Sequence, residues 1–197
     1  MDASDEMLEV ARRSLERAGL EGRAEIVGAD LESNALTGLG SFDLVLCLHN
    51  VLGFVARPGV LVNQLGERLR PGGVLIAVAA NLLHAIYFSF LRGRIDEARR
   101  AWEVQEVRFS NGPALRVFDP ESLKQLWSGE YSVRVSGFPV AVYPCPGDSV
   151  VRASDLIGGV LRESAAFDEI LSIERALSSR EANAVRGNNL LAVARRR

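Results

Sequence analysis

The stretch Phe42–Leu52 reads FDLVLCLHNVL, and it decides the fold class of the chain. Residues 42–48 are a near-continuous apolar run with β-branched content, which is typical of a strand covered on both faces. His49 and Asn50 follow this run directly, at the carboxyl end of the strand, where open α/β sheets bind ligands. The stretch therefore predicts a central strand with two candidate functional residues at its end.

The elements around this strand alternate between helix and strand. The pattern predicts a helix over Asp5–Ala18 that Gly19 ends, a short strand over Ala24–Gly28, a helix that begins at Pro58 and carries an apolar stripe over Val60–Leu69, a turn at Arg70-Pro71-Gly72-Gly73 and a buried strand over Val74–Ala79. Helices that join successive buried strands imply right-handed crossovers and a mostly parallel sheet.

The second half of the chain is less regular. It predicts a helix over Leu82–Leu91, a charged stretch over Arg92–Glu106, a helix from Asp119-Pro120 to about Trp127, a strand over Tyr131–Phe138, a loop over Pro139–Asp148, helices over Asp155–Glu163 and Ala166–Ser178, and a last strand over Leu190–Ala194.

Composition narrows the class of protein. A chain of 197 residues with 48% hydrophobic residues is expected to form one domain with a sizeable core. The longest nearly uncharged run, Val74–Leu91, contains Asn81 and His84 and follows a turn, so we interpret it as a strand and a helix, with no membrane span. Cys47 and Cys145 lack metal-type spacing, which favours a reduced cytoplasmic protein without a metal site. The net charge of −2 gives no general attraction to nucleic acid.

Three segments resemble the class I S-adenosylmethionine-dependent methyltransferases: Asp2–Leu8, Phe42–Leu52 and Leu69–Leu75. The resemblance implies a Rossmann-like three-layer sandwich with strand order 3-2-1-4-5-7-6 and an antiparallel strand 7. It further implies S-adenosylmethionine as cofactor, with Asp2 at the ribose, Asp30 and Leu31 at the adenine and Ala3 as part of the adenine wall. Asp2 could instead cap the first helix, Asp30 could be a solvated loop acid, and Ala3 could equally belong to the core.

A finer resemblance concerns enzymes that methylate the carboxylate of 5-carboxymethoxyuridine in tRNA. It rests on Asn81, Arg92-Gly93-Arg94, Asp119-Pro120 and Leu191–Arg195. It implies an active-site cover over residues 82–118, a helical insertion over residues 139–187, and a substrate carboxylate held by Arg108 or Arg116. Both arginines could equally be solvated loop charges. The acceptor is accordingly expected to be a small molecule or tRNA.

The role of His49 stays open at this point. It could serve as a general base for an alcohol or amine acceptor, or it could position the loop, whereas a carboxylate acceptor needs no base. The methyl group itself comes from the cofactor, so that the protein mainly has to place the acceptor in line.

The start of the chain falls inside the resembled fold. The first strand, the glycine-rich cofactor loop and most of the second strand are expected to be absent, and Gly38-Leu39-Gly40 precedes a strand and is only a turn. Residues 42–48 should then expose an unpaired apolar edge that favours self-association. Two function classes therefore stand side by side: a methyltransferase, and a degenerate methyltransferase-like binding or regulatory subunit without activity of its own.

Overall fold

The computed structural model describes residues 1–33, 36–108, 112–127, 129–140 and 164–197. Seven α-helices and six strands occur in these ranges, together with two short 3-10 helices at Glu21–Arg23 and Glu181–Asn183. They are α1 (Asp5–Ala18), β1 (Phe42–Cys47), α2 (Val51–Phe54), α3 (Pro58–Glu67), β2 (Leu69–Ala80), α4 (Leu82–Leu91), α5 (Ile95–Val104), β3 (Glu106–Arg108), β4 (Ala114–Arg116), α6 (Pro120–Lys124), β5 (Tyr131–Phe138), α7 (Ser164–Ser178) and β6 (Asn189–Arg196).

The main sheet has the strand order β1-β2-β6-β5. Strands β1 and β2 are parallel, with Val45 opposite Leu75, whereas β6 runs antiparallel to both of its neighbours. Three strands thus point in one direction and the last strand of the chain points in the other. This confirms the predicted α/β fold with a mostly parallel sheet and an antiparallel last strand.

Local sequence signals set the ends of two helices. The Ser4 hydroxyl accepts a hydrogen bond from the Met7 backbone N–H at the start of α1, and Gly19 ends that helix with a φ of 64°. Asp119 caps α6 by accepting from the Ser122 N–H at 2.7 Å, and Pro120 occupies the first turn, where a missing N–H costs nothing. The predicted helix that begins at Asp119-Pro120 ends at Lys124, short of the expected Trp127.

The hydrophobic core lies against one face of the sheet. Leu75, Ala77 and Ala79 of β2 are fully buried there and join residues of α2, α3, α6 and β6 in one cluster. The alternate residues of β2, which point to the opposite face, are only half-buried. The sheet is therefore packed much more completely on one side than on the other.

The first two predicted strands differ from the structure. Residues 24–28 form no strand, and only Gly28 pairs, in a single parallel bridge with Asp2. Strand β1 is not covered on both faces, since Leu44 and Leu46 are 51% and 55% exposed. The reason is its place at the edge of the sheet, because β2 is its sole partner within the described residues.

The charged second half holds more structure than the sequence predicted. The stretch expected to be irregular after Leu91 contains α5 and β3, and β3 pairs with β4 in an antiparallel hairpin. The expected turn at Arg70–Gly73 lies within β2, where Gly72 has a φ of 76° and the register with β1 shifts.

The predicted helix Asp155–Glu163 and most of the loop Pro139–Asp148 lie outside the described residues. Within the described ranges, no helix is long and apolar enough to cross a membrane.

Candidate functional site

A cavity of 340 Å³ opens beyond the carboxyl ends of β1 and β2, and we refer to it as the arginine cavity. Its apolar wall comes from α4, the end of β2 and the β3–β4 hairpin, and consists of Ala80, Ala85, Phe88, Val107, Leu115 and Val117. Its charged residues are Arg92, Arg94, Glu97 and Arg108. Asn50 and Asn81 lie at the sheet end of the cavity.

The β3–β4 hairpin reaches this position because the chain that follows it is hydrogen-bonded to the end of β2. The Phe118 N–H donates to the Ala80 carbonyl at 2.9 Å, and the Leu82 N–H donates to the Phe118 carbonyl at 2.8 Å. Gly53 of α2 packs so closely on the hairpin that a Cβ there would stand 2.4 Å from Leu115. The segment that carries α4, α5 and the hairpin is thereby fixed over the carboxyl end of β2.

The two residues after β1 have an unusual backbone. His49 and Asn50 have φ values of 56° and 59°, the left-handed region that residues other than glycine seldom adopt. Such strain tends to occur at functional sites, where the surrounding structure holds it in place. The turn places Asn50 in the wall of the cavity, and the Asn50 Oδ1 atom is buried without a hydrogen-bond partner in the described part of the chain. His49 is exposed and lines no part of the arginine cavity.

Asn81 holds the floor of the cavity together. Its side-chain amide donates to the carbonyls of Val185 and Gly187, both at 2.9 Å, and its Oδ1 accepts from the Leu83 N–H at 3.0 Å. The residue is only 2% exposed. All of its side-chain polar atoms therefore serve the fold. Of the other asparagines in the wall, Asn50, Asn188 and Asn189, the one with a buried oxygen that lacks a partner in the described part of the chain is Asn50.

His84, which sequence analysis did not select, lines the cavity from α4. Its ring stacks on Phe88 with centroids 5.9 Å apart, and the Arg92 guanidinium lies 4.5 Å from the Phe88 ring centre. Burial lowers the pKa of His84, so that the imidazole is neutral at physiological pH. The spacing of these three residues, four apart on one helix, is the signal in the sequence that could have identified them.

The predicted cofactor residues lie on two neighbouring segments, and none of them lines the arginine cavity. Asp2 and Asp30 sit at the ends of adjacent segments, because the Asp2 carbonyl accepts from the Ala29 N–H at 2.9 Å. Each carboxylate uses one oxygen locally: Asp2 accepts from Ser4 N–H at 2.8 Å and Asp30 from Glu32 N–H at 2.9 Å. Their second oxygens have no partner among the described residues.

The segment after Asp30 is tied to the end of α2. The Glu32 carboxylate accepts from the Ala56 N–H at 2.8 Å, and Leu31 packs against the core. Ala3 is exposed. The structure therefore brings Asp2 and Asp30 together and places them beside α2, but none of the four predicted cofactor residues lines the arginine cavity.

The two predicted substrate arginines occupy different positions. Arg108 lines the cavity, and its backbone N–H donates to the Glu97 carboxylate. Arg116 is exposed and lies outside the cavity wall.

Cys47, at the end of β1, is buried, and burial raises its pKa to about 11, so that its thiol stays protonated.

Comparison with known proteins adds to this geometry. A family described as "Methyltransferase domain" matches residues 1–77. The fold is the methyltransferase fold. Three solved structures share it at a TM-score of 0.52, each over 98% of this chain. They are the plantazolicin methyltransferase BamL in complex with a desmethylPZN analog and SAH (13% identity), the [4+2]-cyclase SpnF (14%) and an S-adenosylmethionine-dependent methyltransferase from Clostridium acetobutylicum ATCC 824 (10%).

The chain is shorter than these proteins with the methyltransferase fold. It spans 65% of the BamL chain, 64% of the SpnF chain and 72% of the clostridial chain. No curated protein matches it by sequence. The strand order β1-β2-β6-β5, with β6 antiparallel, corresponds to strands 4-5-7-6 of the order that the sequence resemblance implied.

Proposed function

We propose that this chain takes part in methyl transfer from S-adenosylmethionine to an acceptor that lies in the arginine cavity. The observation that carries the proposal is the position of the cavity. It opens beyond the carboxyl end of β2, and Asn50, the residue before α2, lies in its wall. The segment after Asp30 is hydrogen-bonded to the chain just beyond α2, through the Glu32 carboxylate and the Ala56 N–H. The methyltransferase-domain match over residues 1–77, which includes β1, α2 and Asp2, supports the same assignment.

S-adenosylmethionine is the cofactor of the proposed reaction, and it supplies a methyl group on a sulfonium that is a good leaving group. The residues present fit its adenosine end. Asp2 and Asp30 each keep one exposed carboxylate oxygen, and ribose hydroxyls and the adenine amino group are donors that such oxygens accept. Leu31 is half-buried beside them and offers an apolar surface to the base.

The acceptor side supports a substrate with a carboxylate. Arg108 faces the cavity together with two further arginines, and a guanidinium fork is suited to fix a carboxylate. A carboxylate nucleophile is already charged, so that the site has only to orient it. For an alcohol acceptor, the neutral His84 is better placed as a base than the exposed His49. Within this class, we further propose the carboxymethoxyuridine carboxylate of tRNA, which the sequence resemblance favours.

A second candidate function is a binding or regulatory subunit. The apolar edge of β1 is exposed, which suits a chain that completes its sheet with a partner. The fold also occurs in the [4+2]-cyclase SpnF, so that the fold alone does not fix the reaction.

Titration calorimetry with S-adenosylhomocysteine tests the cofactor assignment. The variant Asp2→Asn keeps the Oδ1 that Ser4 uses but removes the charge, and it should bind about tenfold more weakly, as expected for a lost charge-assisted hydrogen bond. Asp5→Asn, an exposed acid three residues away, is the matched control. Equal affinity in all three proteins rejects the assignment of Asp2.

Mass spectrometry of tRNA tests the finer proposal. In a strain that lacks this gene, the methyl ester of 5-carboxymethoxyuridine should fall and the free carboxylate should accumulate. Unchanged ester levels would reject this substrate while leaving other carboxylate acceptors in place.

A further inference from the structure

Positive charge prevails in the arginine cavity. Three arginines face it, and the acid that lines it with them is Glu97, in a chain whose net charge is −2. One of the three, Arg108, also lies 4.0 Å from the Glu106 carboxylate, so that Arg92 and Arg94 carry most of the uncompensated charge. Glu97 already accepts the Arg108 backbone N–H, so that part of its charge is engaged locally. Cations that share a partly enclosed cavity repel one another, and this repulsion is relieved when an anion binds between them.

The turn between α4 and α5 positions two of these arginines. Arg92 follows α4 directly and Arg94 precedes α5, and Gly93 between them has a φ of 65°. The Arg94 N–H donates to the Ser89 carbonyl at 2.9 Å, which closes the turn. Both side chains therefore leave the same tight turn at the mouth of the cavity.

Neither arginine is neutralised within the described part of the chain. Arg92 lies over the Phe88 ring, a contact that uses the flat face of the guanidinium and leaves its N–H edge available. Among the described residues, no carboxylate pairs with Arg92 or Arg94, whereas Arg70 pairs with Asp43 at 2.7 Å and Arg99 with Asp96 at 3.3 Å. The side-chain donors of this turn are thus exposed and lack an anion in the described part of the chain.

The wall of the same cavity also offers a hydrogen-bond acceptor. The Asn50 Oδ1 atom is buried and has no partner among the described residues, which costs free energy unless a ligand supplies a donor. We propose that the cavity binds an oxyanion-bearing molecule whose carboxylate or phosphate lies between Arg92 and Arg94, next to Arg108, and whose N–H or O–H group donates to Asn50. The inference rests on the proposed function, because it defines the acceptor class for the same cavity.

Binding of small probes to the full chain tests this subsite without cofactor or turnover. The probes are phenoxyacetate, phenyl phosphate and the uncharged phenoxyacetamide, followed by ¹H–¹⁵N NMR titration of the arginine side chains. We expect the anions to bind at least about tenfold more tightly than the amide, with shifts at Arg92 and Arg94. The comparison of the two anions separates a carboxylate site from a phosphate site.

Single substitutions identify the arginines that cause the preference for anionic probes. Arg92→Gln and Arg94→Gln should each remove most of the preference for the anions, whereas Arg99→Gln, on the exposed side of α5, should keep it. Circular dichroism melting of each variant separates loss of the site from loss of the fold. The subsite is rejected if the amide binds as well as the anions, if Arg99→Gln has the same effect as Arg92→Gln, or if no anion binds at millimolar concentration.

The two proposals fail in different ways. Anion binding with no methyl transfer to any carboxylate acceptor would overturn the proposed function and keep the subsite. Methyl transfer that is unchanged in Arg92→Gln and Arg94→Gln would overturn the subsite and keep the proposed function.

Discussion

At the scale of single residues, His84 couples the cavity to pH. The imidazole lies among apolar side chains of α4 and the hairpin, and the charged groups that share its cavity are Arg92, Arg94, Glu97 and Arg108. Burial lowers its pKa in the folded protein, so the unfolded chain takes up a proton at a higher pH than the folded chain. Acidification through the ordinary histidine pKa of about 6.5 therefore favours unfolding.

The free energy of unfolding of the wild type should fall as the pH is lowered from about 7.5 to about 5.5, and this fall should be smaller in His84→Gln. Urea denaturation at several pH values measures it. His49→Gln removes the other histidine of the chain at an exposed position, and it should behave like the wild type. Parallel pH profiles for the wild type and His84→Gln would contradict the assignment of a buried neutral imidazole.

At the scale of elements, Asn81 joins three segments at the carboxyl end of β2. It caps α4 and donates two hydrogen bonds to the loop that leads into β6. Asn81→Ala leaves the buried Gly187 carbonyl and the partly buried Val185 carbonyl without this donor, and it should lower the free energy of unfolding by about 2–4 kcal/mol. Urea denaturation gives the value, and Asn63→Ala, on the exposed side of α3, should change it little.

A second substitution separates the two roles of this residue. Asn81→Asp keeps an oxygen for the Leu83 N–H but loses both donors, so it should destabilise about as much as alanine if the loop contacts dominate. A stability close to that of the wild type would instead make the cap of α4 the main contribution.

The sequence predicted helices and strands correctly where a long segment showed a clear apolar pattern. The apolar run of β2 and the exact bounds of α1 and α4 were predictable because caps and turns enclose them. The β3–β4 hairpin was not, since strands of three residues carry too little pattern and depend on α2 and α4 for their packing. The α5 helix was obscured by its charges, although its acids do lie in the first turn.

The site was predicted less completely than the fold. Its position followed from Asn50, because residues after a parallel strand meet at one edge of the sheet. The part played by Arg92, Arg94 and His84 depends on how α4 turns into α5 above that edge, and no local pattern specifies which side chains a cover segment directs inward. For β1 the sequence supported two different expectations. The absence of the preceding strands predicted an exposed edge, whereas the apolar pattern of the strand alone predicted burial on both faces, and the structure shows an exposed strand.

At the scale of the whole molecule, the sheet ends in an apolar edge. Phe42, Leu44 and Leu46 alternate along β1 and share one of its faces, each at least 41% exposed, and β1 has one partner strand in the described part of the chain. A strand with free N–H and C=O groups and an apolar face is a template for pairing with another chain. We therefore expect the 197-residue chain to self-associate with rising concentration.

Sedimentation velocity at increasing protein concentration measures this association. A charge on the edge should oppose it, since edge lysines block strand pairing in natural sheets, so Leu46→Lys should shift the protein towards monomer. The melting temperature should change little, because Leu46 is more than half exposed. Val104→Lys, at a similarly exposed apolar position on α5, should associate like the wild type, as the effect depends on the strand edge and not on total apolar surface. A wild-type chain that stays monomeric at high concentration would show that this edge does not pair with a second chain, and equal dissociation by both lysines would show that general apolar surface, and not the strand edge, drives the association.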